Sequence, residues 1–555
     1  MKKIPIGISD FKDIMENNYY FVDKSLLIKE IVEDDSKVIL IPRPRRFGKT
    51  INMSMLNSFF NNEDNSKELF KGLFIEHHKN IMKKQGKHPV IYISFKYQKY
   101  LTWENCKLGF NRIIINEFSK HYYLVESELL KQHEKNEFYN ILNGTANDIC
   151  YMDGIKKLSE YLYRYHNEKV VIILDEYDMP VQEAFFNNYY NEAMSYLRNL
   201  LSGALKDNPY LEKGILTGIL RVAKESIFSG VNNIKVYSLI NSKYREFFGF
   251  TENEVNEILK YYNIKTELEN IKLWYNGYNF GGEVIYNPWS ILNYIKDIER
   301  GLICHWINTS SNDLIRDIIA KADYKAKIEC EELIEGNCIE KKINENIVME
   351  DIHTSSENIW SFLLFTGYLK AEEINNIDGD IIVKMSIPNK EVHALFKDIV
   401  IGWFSNVNAN ENLGDMLKAL IKGDIETFDI MFSKTIEKTL SYFDLNGESE
   451  RFYHAFVLGM LVALEETHYI RSNRESGYGR YDVMVIPKDK NQLGLIIEFK
   501  KVNKRRNETL EEAVKKALDQ IENKKYNIEM KELGIDKILE LAIAFDGKEV
   551  LIKER

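Results

Sequence analysis

Residues 38–60 read VILIPRPRRFGKTINMSMLNSFF. The opening VILIP has the length and the Val/Ile content of a strand buried on both faces. An amphipathic helix is expected after Gly48-Lys49-Thr50, so the stretch reads as strand, loop and helix. Backbone N–H groups at such a helix start hold phosphate oxygens, a lysine reaches the β- and γ-phosphates, and a Thr hydroxyl ligates Mg²⁺. Gly48 would let the backbone approach the phosphates closely. The general phosphate-loop pattern has glycine where Arg43 stands.

Working outward, four more apolar runs follow: VIYISF (90–95), VVIILDE (170–176), GILTGIL (214–220) and IKVYSLI (234–240). Each reads as a doubly buried strand, and helical segments separate them, so the N-terminal half is expected to be α/β with a parallel sheet. Ligands of open α/β sheets bind beyond the carboxyl ends of the strands. VVIILDE ends there in Asp175-Glu176, a residue able to hold Mg²⁺ and one able to polarise an attacking water. GILTGIL adds Thr217, and Arg221 follows it.

The texture changes near 250. FTENEVNEIL carries a capping box, Thr251 with Glu254, and opens a helix-rich middle region. Its aromatic segments, around Trp274, Tyr278, Trp289 and Trp306, read as core packing and turns rather than a base-stacking platform. Near 430 the pattern changes again. The helix-compatible ERFYHAFVLGMLVALEE (450–466) leads to RYDVMVIP (480–487), a turn, LGLIIEFKKV (493–502), the helix-like TLEEAVKKALDQIENKKY (509–526) and LELAIAF (539–545). His454 reads as a packed or surface helix residue. Domains are expected at 1–245, 246–440 and 441–555.

In the C-terminal hairpin Asp482 is expected on the first strand, with Glu498 and Lys500 on the second. Strand side chains alternate, so Glu498 and Lys500 share one face while Ile497 and Phe499 take the other. Two carboxylates on adjacent strands suit Mg²⁺, and a nearby lysine can orient or deprotonate the attacking water. E-x-K alone is common, and Glu340–Lys342, Glu522–Lys524 and Glu529–Lys531 satisfy it too. What marks 498–500 is its place at the end of an otherwise buried strand, where charge is costly unless paired or liganded. A plain ion pair at a sheet end is the competing reading. Lys500, Lys501, Lys504, Arg505 and Arg506 form a short basic track that would meet a phosphate backbone or else be a solvated loop.

The chain has 555 residues, which sets a prior of three or four domains, and 74 basic against 84 acidic residues give a net charge of −10. That balance carries no nucleic-acid signature, so any such contact must rest on the local track. Hydrophobic residues make up 45%, enough for sizeable cores, and the 9 prolines exclude collagen-like and Pro-rich classes. The 5 cysteines include no C-x-x-C pair, which fits a reducing compartment. No apolar signal segment follows the N-terminal lysines, and the longest apolar stretch, 456–464, falls short of the ~20 residues of a membrane span. A cytoplasmic protein without a membrane partner is expected.

PRPRRFGKT, ILDEYD and LTGILRVAKESIFSGVNNI together resemble the AAA-ATPase-like family of prokaryotic proteins, whose degenerate phosphate loop has the form RPRRFGK[ST]. The resemblance spans roughly 4–240. It implies an ASCE-type P-loop fold that binds ATP with Mg²⁺, Lys49 and Thr50 in the Walker A role, Asp175-Glu176 in the Walker B role and Thr217 at the sensor position. Arg45 and Arg46 are either phosphate-neutralising or solvated loop arginines; Arg46 is counted with Gly48 among the nucleotide-binding candidates. SNRESGYGRYDVMVIP with IIEFK resembles the PD-(D/E)xK nuclease superfamily over roughly 450–550. This implies Asp482 and Glu498 as metal ligands and Lys500 as the catalytic lysine. Some members add a glutamine on the next helix, and Gln520 shares a face with Ala513 and Ala517. Tyr526 follows it by six residues rather than the four of the Q-x-x-x-Y form, and Glu465 or Glu475 are candidate further acids.

These features point to an ATP-binding protein with a Mg²⁺-dependent nuclease domain acting on DNA, regulated or powered by ATP. One rival is an ATP-dependent switch or scaffold whose nuclease-like domain binds nucleic acid or protein without cutting. Another is an ATPase signalling module with an inert tail. A homo-oligomer is compatible with the AAA-like resemblance, and the sequence fixes no number of subunits.

Overall fold

The computed structural model describes all residues except 64, 65, 221–233, 307–311, 321, 323, 348, 353, 354, 406–409, 440–456, 473, 474, 477, 478, 504, 505 and 507. Arg221, His454, Lys504 and Arg505 therefore lie outside the described residues. The chain divides into two compact units, 1–312 with 340–392 and 313–339 with 393–555, and residues 246–440 are shared between them.

The first unit is built on a five-stranded, all-parallel sheet: β1 (Val38–Pro42), β2 (Val90–Ser94), β3 (Val170–Asp175), β4 (Leu211–Gly218) and β5 (Ile234–Val236), in the order β2-β3-β4-β1-β5. β1 and β3 are buried at every position, as their unbroken apolar runs require. β4 runs between them, with Thr217 level with Asp175 on one side and Ile41 on the other. The loop after β1 and the acidic end of β3 are thus set around Thr217 at the carboxyl edge. Helix α1 (Lys49–Phe60) follows the loop directly. IKVYSLI departs from expectation. Only Ile234–Val236 form a strand, at the sheet edge with Lys235 exposed, because among the described residues β5 has β1 on one side and no strand on the other.

The Thr251–Glu254 capping box forms at the start of the helix Glu252–Tyr261. Beyond it, α2 (Pro288–Lys296) begins at Asn287, whose side chain caps Trp289 and Ser290. Strands punctuate this helix-rich stretch, including the antiparallel pair Lys370–Ile377 and Asp380–Ser386.

The second unit carries helix α3 (Ile425–Thr439) and a mixed sheet of β6 (His468–Ser472), β7 (Val483–Pro487), β8 (Gly494–Lys501), β9 (Ile538–Asp546) and β10 (Glu549–Glu554), in chain order across the sheet. Only β8 and β9 are parallel, because helix α4 (Leu510–Lys524) carries the chain back between them. α4 starts on a second capping box, Thr509 with Glu512. Its Ala513, Val514 and Ala517 pack with Ala542 and Ala544 of β9, and these small side chains bring the helix close to the sheet. Phe499 points to the other face and meets Phe545, which meets Phe432 of α3.

Two expectations need correction here, and two strands were not expected. Asp482 lies one residue before β7 rather than on it; its Oδ2 accepts the Phe499 N–H at 2.8 Å, so a side chain substitutes for a ladder bond where the strand begins. Edge strands β6 and β10 were not legible as strands, being short and half exposed. The helix expected to run to 466 ends near 461, followed by a short 3₁₀ turn Val462–Leu464.

Candidate functional site

The phosphate loop leaves β1 at Arg43. This residue is fully buried: its N–H bonds Gly218 O, and its guanidinium donates to Pro42 O and Tyr237 O, each at 2.8 Å, and to Tyr244 O. Burial pushes Arg43 down to about 9. Where the general pattern has glycine, this chain has an arginine tying the loop root to the ends of β4 and β5. Phe47 packs against Tyr278 and Phe280 of the middle region. Gly48 takes φ +79°, the left-handed turn that leads into α1.

Lys49 is buried, and its Nζ donates to Pro44 O at 2.9 Å. Burial lowers its pKa, while Glu176, Asp178 and Asp175 favour its charge. Thr50 Oγ1 donates to Asp175 Oδ2 at 2.9 Å, joining the two ends of the site. Burial, then Glu176, pushes Asp175 up to about 6, and its Oδ1 is buried with no hydrogen-bond partner. An orphaned carboxylate oxygen on a residue already joined to a hydroxyl fits a hard cation, which takes oxygen ligands. Glu176 sits at φ +51°, a strained conformation for a non-glycine residue that turns its side chain out of the strand alternation. Thr217 is buried, and its hydroxyl donates to Ile41 O at 3.0 Å. Arg45 bonds Gln182 Oε1 at 3.0 Å, and the Arg46 guanidinium lies over the Trp289 ring, 4.1 Å from its centroid.

Sequence reasoning missed Asp178. It is buried, and its Oδ2 accepts the N–H groups of Ile219 and Leu220 and the Gln182 amide, each at 2.9 Å. Gly218 makes room for it, since a Cβ there would lie 2.4 Å from Asp178 Oδ1. Tyr177 adds a bond to Leu220 O. The DEYD run thus fixes the segment leaving β4, and its signal was the third acid following an already acidic strand end.

In the second unit the E-x-K alternation holds. Glu498 is 1% exposed. Its Oε1 accepts from Lys500 Nζ at 3.1 Å and from Gln520 Nε2, and Gln520 Nε2 also lies 3.1 Å from the Tyr526 hydroxyl. The six-residue spacing is bridged because the helix ends at Lys525, whose φ of +55° turns Tyr526 back towards Gln520. Glu498 Oε2 is buried without a hydrogen-bond partner. Burial, and then the Asp482 charge, pushes Glu498 up to about 8, with Lys500 opposing. An orphaned carboxylate oxygen beside a second carboxylate fits a divalent cation, although among the described residues no cluster of three or more His, Cys, Asp or Glu could hold a metal. Mg²⁺ is often held by one or two carboxylates with substrate phosphates completing the shell. Glu465 is engaged by Lys397 at 3.0 Å, and Glu475 lies in the two-residue strand Glu475–Ser476. Of the basic track, Arg506 is exposed and Lys501 half-buried. No helix among the described residues is long and apolar enough to cross a membrane.

Residues 5–228 match the family described as Predicted AAA-ATPase, and residues 448–555 match the PD-(D/E)XK nuclease superfamily. The chain is also similar to a protein of Azotobacter chroococcum mcd 1, described as an uncharacterized protein in vnfD 5'region. The two are 24% identical over 501 residues, 87% of each chain. With its phosphate loop and its buried carboxylate–lysine pair, the chain thus carries an AAA-ATPase-like domain followed by a PD-(D/E)XK nuclease superfamily domain.

Proposed function

We propose that this protein binds ATP with Mg²⁺ at the β1–α1 loop and cleaves phosphodiester bonds of DNA at the Asp482–Glu498–Lys500 site, with ATP regulating or powering the cut. The observation that carries the nuclease reading is Glu498. A carboxylate is placed where burial and Asp482 oppose its charge, with one oxygen held by Lys500 and Gln520 and the other without a partner. Such a costly arrangement is typical of functional sites. Mg²⁺ held by Asp482 and Glu498 would stabilise charge on the phosphoryl oxygens. Lys500 orients the attacking water and faces the scissile phosphate, while Gln520, backed by Tyr526, fixes the Glu498 carboxylate.

At the other site the backbone N–H groups at the start of α1, Gly48 included, cradle the phosphates, and the Lys49 ammonium moves from Pro44 O to the β- and γ-phosphates. Thr50 and Asp175 hold the cation, Glu176 polarises the attacking water, and Arg46 neutralises phosphate charge. Thr217 acts as a sensor by linking the end of β4 to β1.

The test is cleavage of supercoiled plasmid and single-stranded DNA with Mg²⁺ or Mn²⁺, with and without ATP, by the wild type and Glu498→Ala. Cutting that depends on Glu498 is expected. No cutting under any condition would overturn the nuclease half and favour an ATP-dependent switch that binds without cutting.

A further inference from the structure

Of the three arginines in the phosphate loop, two are committed to the protein: Arg43 to backbone carbonyls and Arg45 to Gln182. Among the described residues the Arg46 guanidinium makes no ion pair or side-chain hydrogen bond; it is stacked on Trp289. A guanidinium held over a ring face by its charge uses none of its N–H donors there, so they remain for an oxygen partner. Arg46 is also within electrostatic reach of Glu176, the candidate for polarising an attacking water, and its φ of +69° puts the loop backbone in the left-handed region here.

The indole is itself held. Trp289 Nε1 donates to His305 O at 3.2 Å. Its neighbour Ser290 donates Oγ to Glu391 Oε2 at 2.7 Å. Glu391 Oε1 accepts the Trp306 N–H at 2.5 Å and the His305 N–H. Ser290 and Glu391 are both fully buried. A carboxylate is costly in such a place unless donors surround it. Here the donors belong to α2 and to residues 305–306, so the carboxylate joins the two elements that fix the indole.

We propose that Trp289 is a positioning residue for Arg46. It holds the guanidinium at the phosphate loop so that it engages the terminal phosphate of a nucleoside triphosphate, and the Ser290–Glu391 network anchors the indole. This rests on the nucleotide-site reading above and adds to it a basis for preferring a triphosphate over a diphosphate. A charge-assisted, bidentate contact formed only with the terminal phosphate raises affinity for ATP and leaves ADP nearly unaffected.

The experiment is calorimetric titration of Mg·ATP and Mg·ADP into the full-length wild type, R46M, W289L, W289F, the R46M/W289L double variant and K49A. Loss of about tenfold in ATP affinity is expected for R46M and for W289L, with ADP affinity changed less than about twofold. The double variant should be no weaker than R46M, and W289F, which keeps an aromatic face, should recover most of the loss. Equal losses for ATP and ADP, or additive losses in the double variant, would reduce Trp289 to packing and overturn the proposal. Should W289L fail to fold, tryptophan emission decides: ATP should shift the wild-type signal and leave W289F unshifted, and an equal shift in both would overturn it. If the wild type binds no nucleotide, the site reading falls and this proposal with it. If K49A abolishes ATP binding while the Trp289 variants bind normally, only this proposal falls.

Discussion

Glu498→Gln should stabilise the protein while abolishing DNA cleavage. An ordinary glutamate titrates near 4.5, and burial together with Asp482 takes Glu498 up to about 8. In metal-free buffer between those two values the folded chain keeps a proton on Glu498 that the unfolded chain releases. Stability therefore falls as pH rises, by about 1.4 kcal/mol per pH unit, and levels off above about 8. At pH 7 the accumulated cost is on the order of 3 kcal/mol. A glutamine has no such proton to retain, and its carbonyl oxygen can still accept from Lys500 and Gln520. Calorimetric unfolding of full-length wild type and Glu498→Gln in EDTA from pH 5.5 to 8.5 should show the wild-type transition linked to the C-terminal unit falling relative to the variant. Adding Mg²⁺ should reverse the order at high pH, because a cation displaces the proton in the wild type alone. A variant with the same pH slope as the wild type, or one less stable at pH 8 without metal, would refute this account of the Glu498 environment.

Lys49→Ala should weaken ATP binding about 10- to 100-fold in an equilibrium titration, since hydrogen bonds from a charged group to phosphate are lost. Asp175 takes up a proton near pH 6 without nucleotide, so binding of Mn²⁺, followed by its relaxation signal, should fall as pH drops through about 6; Asp175→Asn should abolish that limb. Arg43→Met should cost about 3 kcal/mol in thermal unfolding, because it strips donors from the buried carbonyl of Pro42 and the partly buried carbonyl of Tyr237. Burial alone would depress His121, but Glu117 and Glu63 push it up to about 9. Its contribution to stability should be intact below pH 6.5 and lost as pH rises through 9, a loss absent from His121→Gln in the same scans.

Much of the site was legible because it obeys local rules. A doubly buried strand must be continuously apolar, a helix start binds anions, and strand side chains alternate. VILIP with Gly48-Lys49-Thr50, the Asp175-Glu176 strand end and the Glu498/Lys500 pair follow from those rules alone, and the Thr251–Glu254 capping box follows from its own local pattern. IKVYSLI misled because apolar content does not fix sheet position; an edge strand can be equally apolar, shorter and half exposed. Asp482 was placed on its strand because nothing in the sequence shows that its carboxylate would take the Phe499 N–H.

The sequence by itself determined the strand–loop–helix of the phosphate site and the identities of the acidic and basic groups, since these depend on residues close together in the chain. Tertiary structure alone decided which long-range partners those groups meet. Arg43, Arg45 and Arg46 are adjacent in sequence and chemically alike, yet one is sunk among carbonyls, one bonds Gln182 and one lies on Trp289, 243 residues away. Asp178 reads as one more surface acid until β3 and β4 pair and bring Ile219 and Leu220 to it. Tyr526 has the wrong spacing for Gln520 until the left-handed turn at Lys525 closes the gap. Burial, and with it each perturbed pKa, is a property of how the whole chain packs, and local sequence does not encode it.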